Sequence, residues 1–260
     1  MKKVRIQLYF LLSVLSLCIT LNGVASAELT TRANHDHILI DFTYHGSTVS
    51  ITGISDPGTD LIIKITSPEG HQALKTKGKV GGFLWMNVGQ LAFERVPNFY
   101  TVHSTRKLED MLGPEEMDKY VIGYPALEKH VEISPVSSQE DKDKWFREFV
   151  SLKESSKLFA TSSGNISITH DAGKQHYYIL TEWPYQAPPG DYLITVYAVK
   201  DSKIIEKAEA KVLVEQAGIV KTLAGMAKNA ASSYGILSIL AALGAGFGVG
   251  MVFRKGGGAH

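Results

Sequence analysis

Histidines, a stretch of aromatic side chains and scattered carboxylates are the groups in this 260-residue chain with the capacity for chemistry. His35-Asp36-His37 sets two imidazoles on one side of an extended segment, because side chains two residues apart share a strand face. Two nitrogens make half a metal site. His45, His71, His103, His170 and His176 are scattered, with no helical pair at four residues and no metalloprotease signature. An amino-terminal copper clamp would want histidine third in a chain processed after Ala27, where Thr30 stands. No metal ligands and no cofactor are therefore expected. There is no Gly-x-Ser-x-Gly elbow, no phosphate-cradling glycine loop ahead of a helix, and no close pairing of Asp and Glu. No catalytic residue can be assigned, which lowers the expectation of an enzyme without abolishing it, since catalytic groups can meet from distant positions.

The densest unusual stretch runs from Lys77 to Arg106. Trp85, Met86, Phe93, Phe99 and Tyr100 interleave there with Gly81, Gly82, Asn87 and Pro97. Aromatic, Met and Arg side chains are enriched where proteins recognise one another, so Trp85, Asn87, Tyr100 and Arg106 are the candidate recognition residues. The same aromatics also suit an ordinary core. A second use of the stretch would be as the wall of a small-ligand pocket, with Arg106 pairing an anion.

The elements that must position these residues read as mainly β. Ile38–Tyr44 and Thr48–Ile54 are β-branched or aromatic runs on either side of His45-Gly46-Ser47, a hairpin pattern, and Asp56-Pro57-Gly58-Thr59 turns the chain into Leu61–Thr66. The rhythm returns at Asp191–Val199, preceded by Pro188-Pro189-Gly190 and joined through Asp201-Ser202 to Ile204–Val214. Both faces of the first of these strands are apolar, which predicts a central position. Tyr192 near its start matches the tyrosine corner of immunoglobulin-like sandwiches, and a plain core tyrosine fits as well. Between the β halves, residues 105–160 carry helix-compatible charge. Trp145, Phe149 and Leu152 recur at helical spacing, and Ser137-Ser138 followed by Glu140 and Asp141 forms a cap region. The expected architecture is an immunoglobulin-like antiparallel β-sandwich over 28–215 with a helical insertion at 105–160.

The ends of the chain set its place. Lys2, Lys3 and Arg5, the apolar run Ile6–Leu21 and the small residues Ala25-Ser26-Ala27 have the order of a signal peptide cleaved after residue 27, giving Glu28 as the mature terminus. That cleavage removes three basic residues and the single cysteine, Cys18, and leaves 24 basic against 26 acidic residues. A near-neutral balance lacks the basic patch that nucleic-acid binding requires. Without cysteine, disulfides and thiolate sites are excluded, and the core stabilises the domain alone. After a juxtamembrane stretch at 216–233, Tyr234–Phe253 is uncharged and long enough to span a bilayer. Arg254 and Lys255 place the tail 254–260 on the cytoplasmic side. Gly244, Gly246, Gly248 and Gly250 form overlapping small-residue pairs through which a second copy could approach.

Taken together, Thr52-Gly53, Pro57-Gly58-Thr59-Asp60-Leu61, Lys77, Trp85-Met86-Asn87, Val96-Pro97-Asn98-Phe99-Tyr100 and Ser104-Thr105-Arg106 resemble a family of uncharacterised bacterial transmembrane proteins known from alphaproteobacteria. The resemblance covers nearly the whole chain and implies no activity and no ligand residues. It implies an association with membrane transporters, because such proteins are encoded near permeases that resemble sulfite exporters. The expectation is a single-pass protein of the bacterial inner membrane, its main domain in the periplasm, acting as an interaction module accessory to a transporter. A periplasmic small-ligand-binding protein or enzyme is the alternative.

Overall fold

The computed structural model describes residues 28–254, with side chains to residue 251. The signal peptide expected at 1–27 and residues 255–260 of the expected tail lie outside the described residues. In chain order the elements are β1 (Arg32–Ala33), β2 (His37–Ile40), β3 (Ser47–Ser55), β4 (Asp60–Thr66), β5 (Glu69–Val80), β6 (Leu84–Pro97) and β7 (Tyr100–Ser104). Then come α1 (Leu108–Met111), α2 (Pro114–Tyr120), α3 (Tyr124–His130), β8 (Glu132–Ser134) and α4 (Gln139–Ser155). The chain ends with β9 (Phe159–Ser163), β10 (Ser167–Asp171), β11 (Lys174–Trp183), β12 (Gly190–Lys200), β13 (Lys203–Gln216), α5 (Gly218–Asn229) and α6 (Ala231–Arg254).

A six-stranded sheet, ordered β2-β13-β12-β4-β7-β9, is the centre of the body. Its middle pairs are antiparallel, while β2 and β9 join its edges in parallel. A four-stranded antiparallel sheet, β1-β3-β11-β10, shares a single apolar core with it. Trp183 of β11 crosses that interface, its ring 5.1 Å from Phe99 and 4.8 Å from Tyr192 of β12. The helical insertion contributes to the other side: Tyr197, cross-strand from Ile62, meets Tyr120 of α2 at 5.5 Å, and Tyr100 meets Tyr124 of α3 at 6.4 Å. Strand β12 is accordingly buried on both faces, as its two apolar stripes predict. Each Ile or Val so buried contributes about 1.5–3 kcal/mol.

Several local expectations hold. The Tyr192 hydroxyl donates to the Pro188 carbonyl at 2.6 Å and closes the turn ahead of β12. The β12–β13 hairpin forms, and Gly58 takes the positive φ of 77° that the Asp56–Thr59 turn needs. Ser138 caps α4 by accepting from the Asp141 backbone N–H at 3.1 Å.

Two expectations need correction. Residues 38–44 and 48–54 do not form a hairpin: β2 pairs with β13 and β3 with β1 and β11. Asp41 bends the chain after Ile40 by accepting from both the backbone N–H and the hydroxyl of Thr43 at 2.8 Å, so the run that reads as one strand breaks into strand and turn. On α4 the buried stripe is Phe146, Phe149, Val150 and Lys153, one position round from the Trp145, Phe149, Leu152 reading, and Leu152 is exposed. Lys153 can occupy the stripe because its stem is apolar and its ammonium lies over the Phe149 and Phe159 rings at 5.3 and 6.0 Å.

Candidate functional site

The four residues selected from the sequence do not meet. Tyr100 is 2% exposed. Its hydroxyl donates to the Val121 carbonyl at 2.9 Å and accepts from the Gly123 N–H at 2.8 Å, which ties the turn between α2 and α3 to the sheet. Arg106 leaves the far end of β7 and forks onto Asp60, with Nε 3.0 and 3.1 Å from the two carboxylate oxygens and Nη2 bonded to Oδ2. That contact holds the Asp60 carboxyl below its usual range. Arg106 therefore spends its fork inside the chain rather than on an external anion. Trp85 and Asn87 alone fall together, on the β5–β6 arm. This arm starts and ends near Thr66, the opposite end of β4 from Asp60.

The arm is built in two zones. Near its base, Leu91, Phe93 and Val96 are buried, Phe93 stacks on Phe149 of α4 at 4.5 Å, and β8 pairs with Ala92–Glu94. Beyond Leu91 nothing covers it. Gly81 and Gly82, at φ 64° and 82°, turn the chain, and Val80 pairs with Leu84. Cross-strand partners share a face, so Val80, Leu84, Met86 and Val88 form one side; Gly78 leaves room there, since a Cβ at that position would sit 2.8 Å from Val88. The other side carries Lys79 opposite Trp85 and Lys77 opposite Asn87, with the Lys79 ammonium 5.4 Å from the indole centroid. Phe83 at the turn is 82% exposed and Trp85 63%. Between Glu69 and Glu94 lie three lysines and no carboxylate. The outer arm is thus amphipathic, apolar on one side and basic with an aromatic on the other.

Other candidate chemistry is weaker. His103 Nδ1 lies 2.6 Å from Ser162 Oγ, but its Nε2 is buried without a partner and no carboxylate orients the ring. Burial pushes the imidazole pKa down. Among the described residues no three His, Cys, Asp or Glu side chains gather as a metal site would need. A cleft of about 560 Å³ lies between His45–Thr48, Ser155–Lys157 and Glu182–Gln186, and Trp85, Tyr100 and Arg106 take no part in it.

The arm and the C-terminal helices leave the body at the same end. Thr66 pairs with Tyr100 and Leu193, and Gly190 pairs with Val214, so the base of β5–β6 and the end of β13 lie at one edge of the six-stranded sheet. From there α5 leads to α6, in which Ala231–Met251 has a mean hydropathy of 1.7 and buries no residue. Its 21 residues extend about 31 Å, the thickness of a bilayer's hydrocarbon core. A family described as "Putative transmembrane protein (Alph_Pro_TM)" matches residues 28–255. The chain belongs to this family. Its mainly β body with one C-terminal transmembrane helix is what the membership and the geometry jointly describe. No curated protein matches the chain.

Proposed function

We propose that this protein is an interaction module of the bacterial inner membrane, anchored by α6 with its β body in the periplasm, and accessory to a transporter in the same membrane. The observation that carries the reading is the uncovered β5–β6 arm, whose apolar and aromatic tip has no partner in the body and whose base lies beside the exit to the span. Soluble surfaces rarely leave six large apolar side chains together without a use for them. The side and processing rest on the signal-like segment before Glu28 and on Arg254 and Lys255 after the span. The bonded Tyr192 corner supports an immunoglobulin-like body. The arm and the span together fix how the body stands on the membrane and which surface it turns to the transporter.

The test is in-membrane cross-linking and capture of the full chain. A polytopic membrane protein should be recovered with the wild type and lost when Phe83, Trp85 and Met86 are replaced by Ser. Recovery that is indifferent to the arm but abolished by exchanging α6 would move recognition into the span.

A further inference from the structure

We infer that the tip of the β5–β6 arm dips into the same bilayer that α6 crosses, with Phe83, Leu84, Trp85 and Met86 entering the headgroup boundary and Lys75, Lys77 and Lys79 pairing with anionic lipid headgroups. This names the ligand of the arm and rests on the membrane anchoring given above. Three independent features point to lipid. Composition comes first: large apolar side chains cluster at the turn, Trp85 is an amphipathic ring suited to the interface, and the cations lie behind it on β5 without a carboxylate among them. Geometry is second. The arm and the span leave one end of the sheet, and the free arm from Leu91 to Phe83, about 26 Å, is longer than α5, the element between body and span, at about 18 Å. A body hung on that connector holds the tip within reach of the surface. Third, the connector is itself basic on the way in: Lys221 and Lys228 are its charges, and no carboxylate follows Glu215. Arm and connector therefore present the same sign to the headgroups.

A second copy or a protein partner would also cover apolar side chains, but it would need an acidic patch of its own facing the three lysines spaced along β5 behind them. An anionic lipid surface carries that charge itself, each lysine near it strengthening docking about fivefold.

The experiment uses the full chain, one copy per nanodisc, in phosphatidylcholine mixed with phosphatidylglycerol and in matched discs with brominated acyl chains. Tryptophan emission is the reporter, because Trp183 is buried, Trp145 is half-buried and α6 has no tryptophan, leaving Trp85 as the exposed indole. Insertion should blue-shift a component of the emission, bromine should quench it, and it should disappear in Trp85→Phe. Combining Lys75→Glu, Lys77→Glu and Lys79→Glu should weaken docking on the order of a hundredfold and remove the quenching, with an unchanged circular dichroism spectrum. Absence of bromine quenching in the wild type overturns the inference, and so does quenching that persists in Trp85→Phe. Quenching that survives charge reversal and is equal in pure phosphatidylcholine overturns the role of anionic headgroups. An indole blue-shifted but unquenched, and only with two copies per disc, overturns the inference and assigns the tip to a second chain. The discs hold no other protein, so failed transporter capture with intact quenching would sink the transporter reading alone.

Discussion

Replacing Tyr100 by Phe deletes one oxygen and strands two backbone groups. The hydroxyl serves the Val121 carbonyl and the Gly123 N–H at once, and both lie in the turn between α2 and α3 where Val121 has φ 50° and Gly123 φ 85°. A β-branched residue in the left-handed region costs roughly 1–2 kcal/mol, so this turn needs external ties to persist. Phe keeps the ring contacts with Phe159 at 5.7 Å and Tyr124 at 6.4 Å, which isolates the hydrogen bonds. Two bonds at about 1 kcal/mol each, plus desolvation of the orphaned Gly123 N–H, give a loss of about 3 kcal/mol. In a body of this size that lowers Tm by roughly 6–12 °C. Thermal unfolding of the full chain in detergent, followed by Trp183 fluorescence, measures it. A change under about 0.5 kcal/mol would refute the structural role, and a loss of membrane contact without a loss of stability would return Tyr100 to the recognition surface.

Exposure makes further predictions. Trp85→Ala should alter stability by less than about 0.5 kcal/mol, whereas Trp183→Ala should cost about 3–5 kcal/mol in the same melt; equal costs would contradict the burial of one or the exposure of the other. Arg106→Ala should leave stability nearly unchanged, because its ion pair with Asp60 is largely solvated on the arginine side, and a clear drop of the urea midpoint would refute that. Exchanging Tyr234–Phe253 for an unrelated single span should leave the body's Tm unchanged, since α6 buries nothing against it. Stability should also rise from acid toward mild alkali. Burial lowers Lys64 and Lys153 from 10.5 to about 8, so in that window the unfolded chain holds protons the folded chain has released, and raising the pH favours folding. Burial raises Tyr177 and Tyr197 from 10.0 to about 12, so above pH 10 the unfolded chain ionises first and stability falls. His103, lowered from 6.5, protonates first in the unfolded chain and costs stability below that pH. Urea midpoints should peak between about pH 9 and 10, and a peak at or below neutrality would contradict these burial effects.

Much of the body is legible in the sequence because its signals are local. The Pro-Pro-Gly turn, the doubly apolar β12 and the Ser138 cap each depend on a few adjacent residues, and the structure repeats them. Pairing is not local. Alternation in 38–44 and 48–54 fixes which side chains point together, but it does not say which strand lies alongside, and the Asp41 turn sends β2 to the far end of the chain at β13. The stripe of α4 fails for a chemical reason: a search for apolar types passes over Lys153, whose stem completes the buried row with Phe146, Phe149 and Val150.

The stretch from Lys77 to Arg106 was legible as unusual but not as divided. Trp85, Phe93 and Tyr100 share an aromatic character, yet one is on an uncovered arm, one wedges against α4 and one is locked beneath α3. What separates them is where the six-stranded sheet ends: the chain is core while it has β7 and the insertion beside it, and becomes an arm once β5 and β6 have only each other. The charge pattern did carry that boundary. Lysine alternates along β5 from Lys75 to Lys79 with no acid between Glu69 and Glu94, while at the base beyond Leu91 the His71 ring meets Glu94 at 2.6 Å and Arg95 pairs with Glu132 at 2.8 Å. With no acid between Glu69 and Glu94, the three lysines of the outer arm take their counter-charge from outside it. For a chain tied to a bilayer by its own last helix, the nearest continuous source of that charge is the membrane surface.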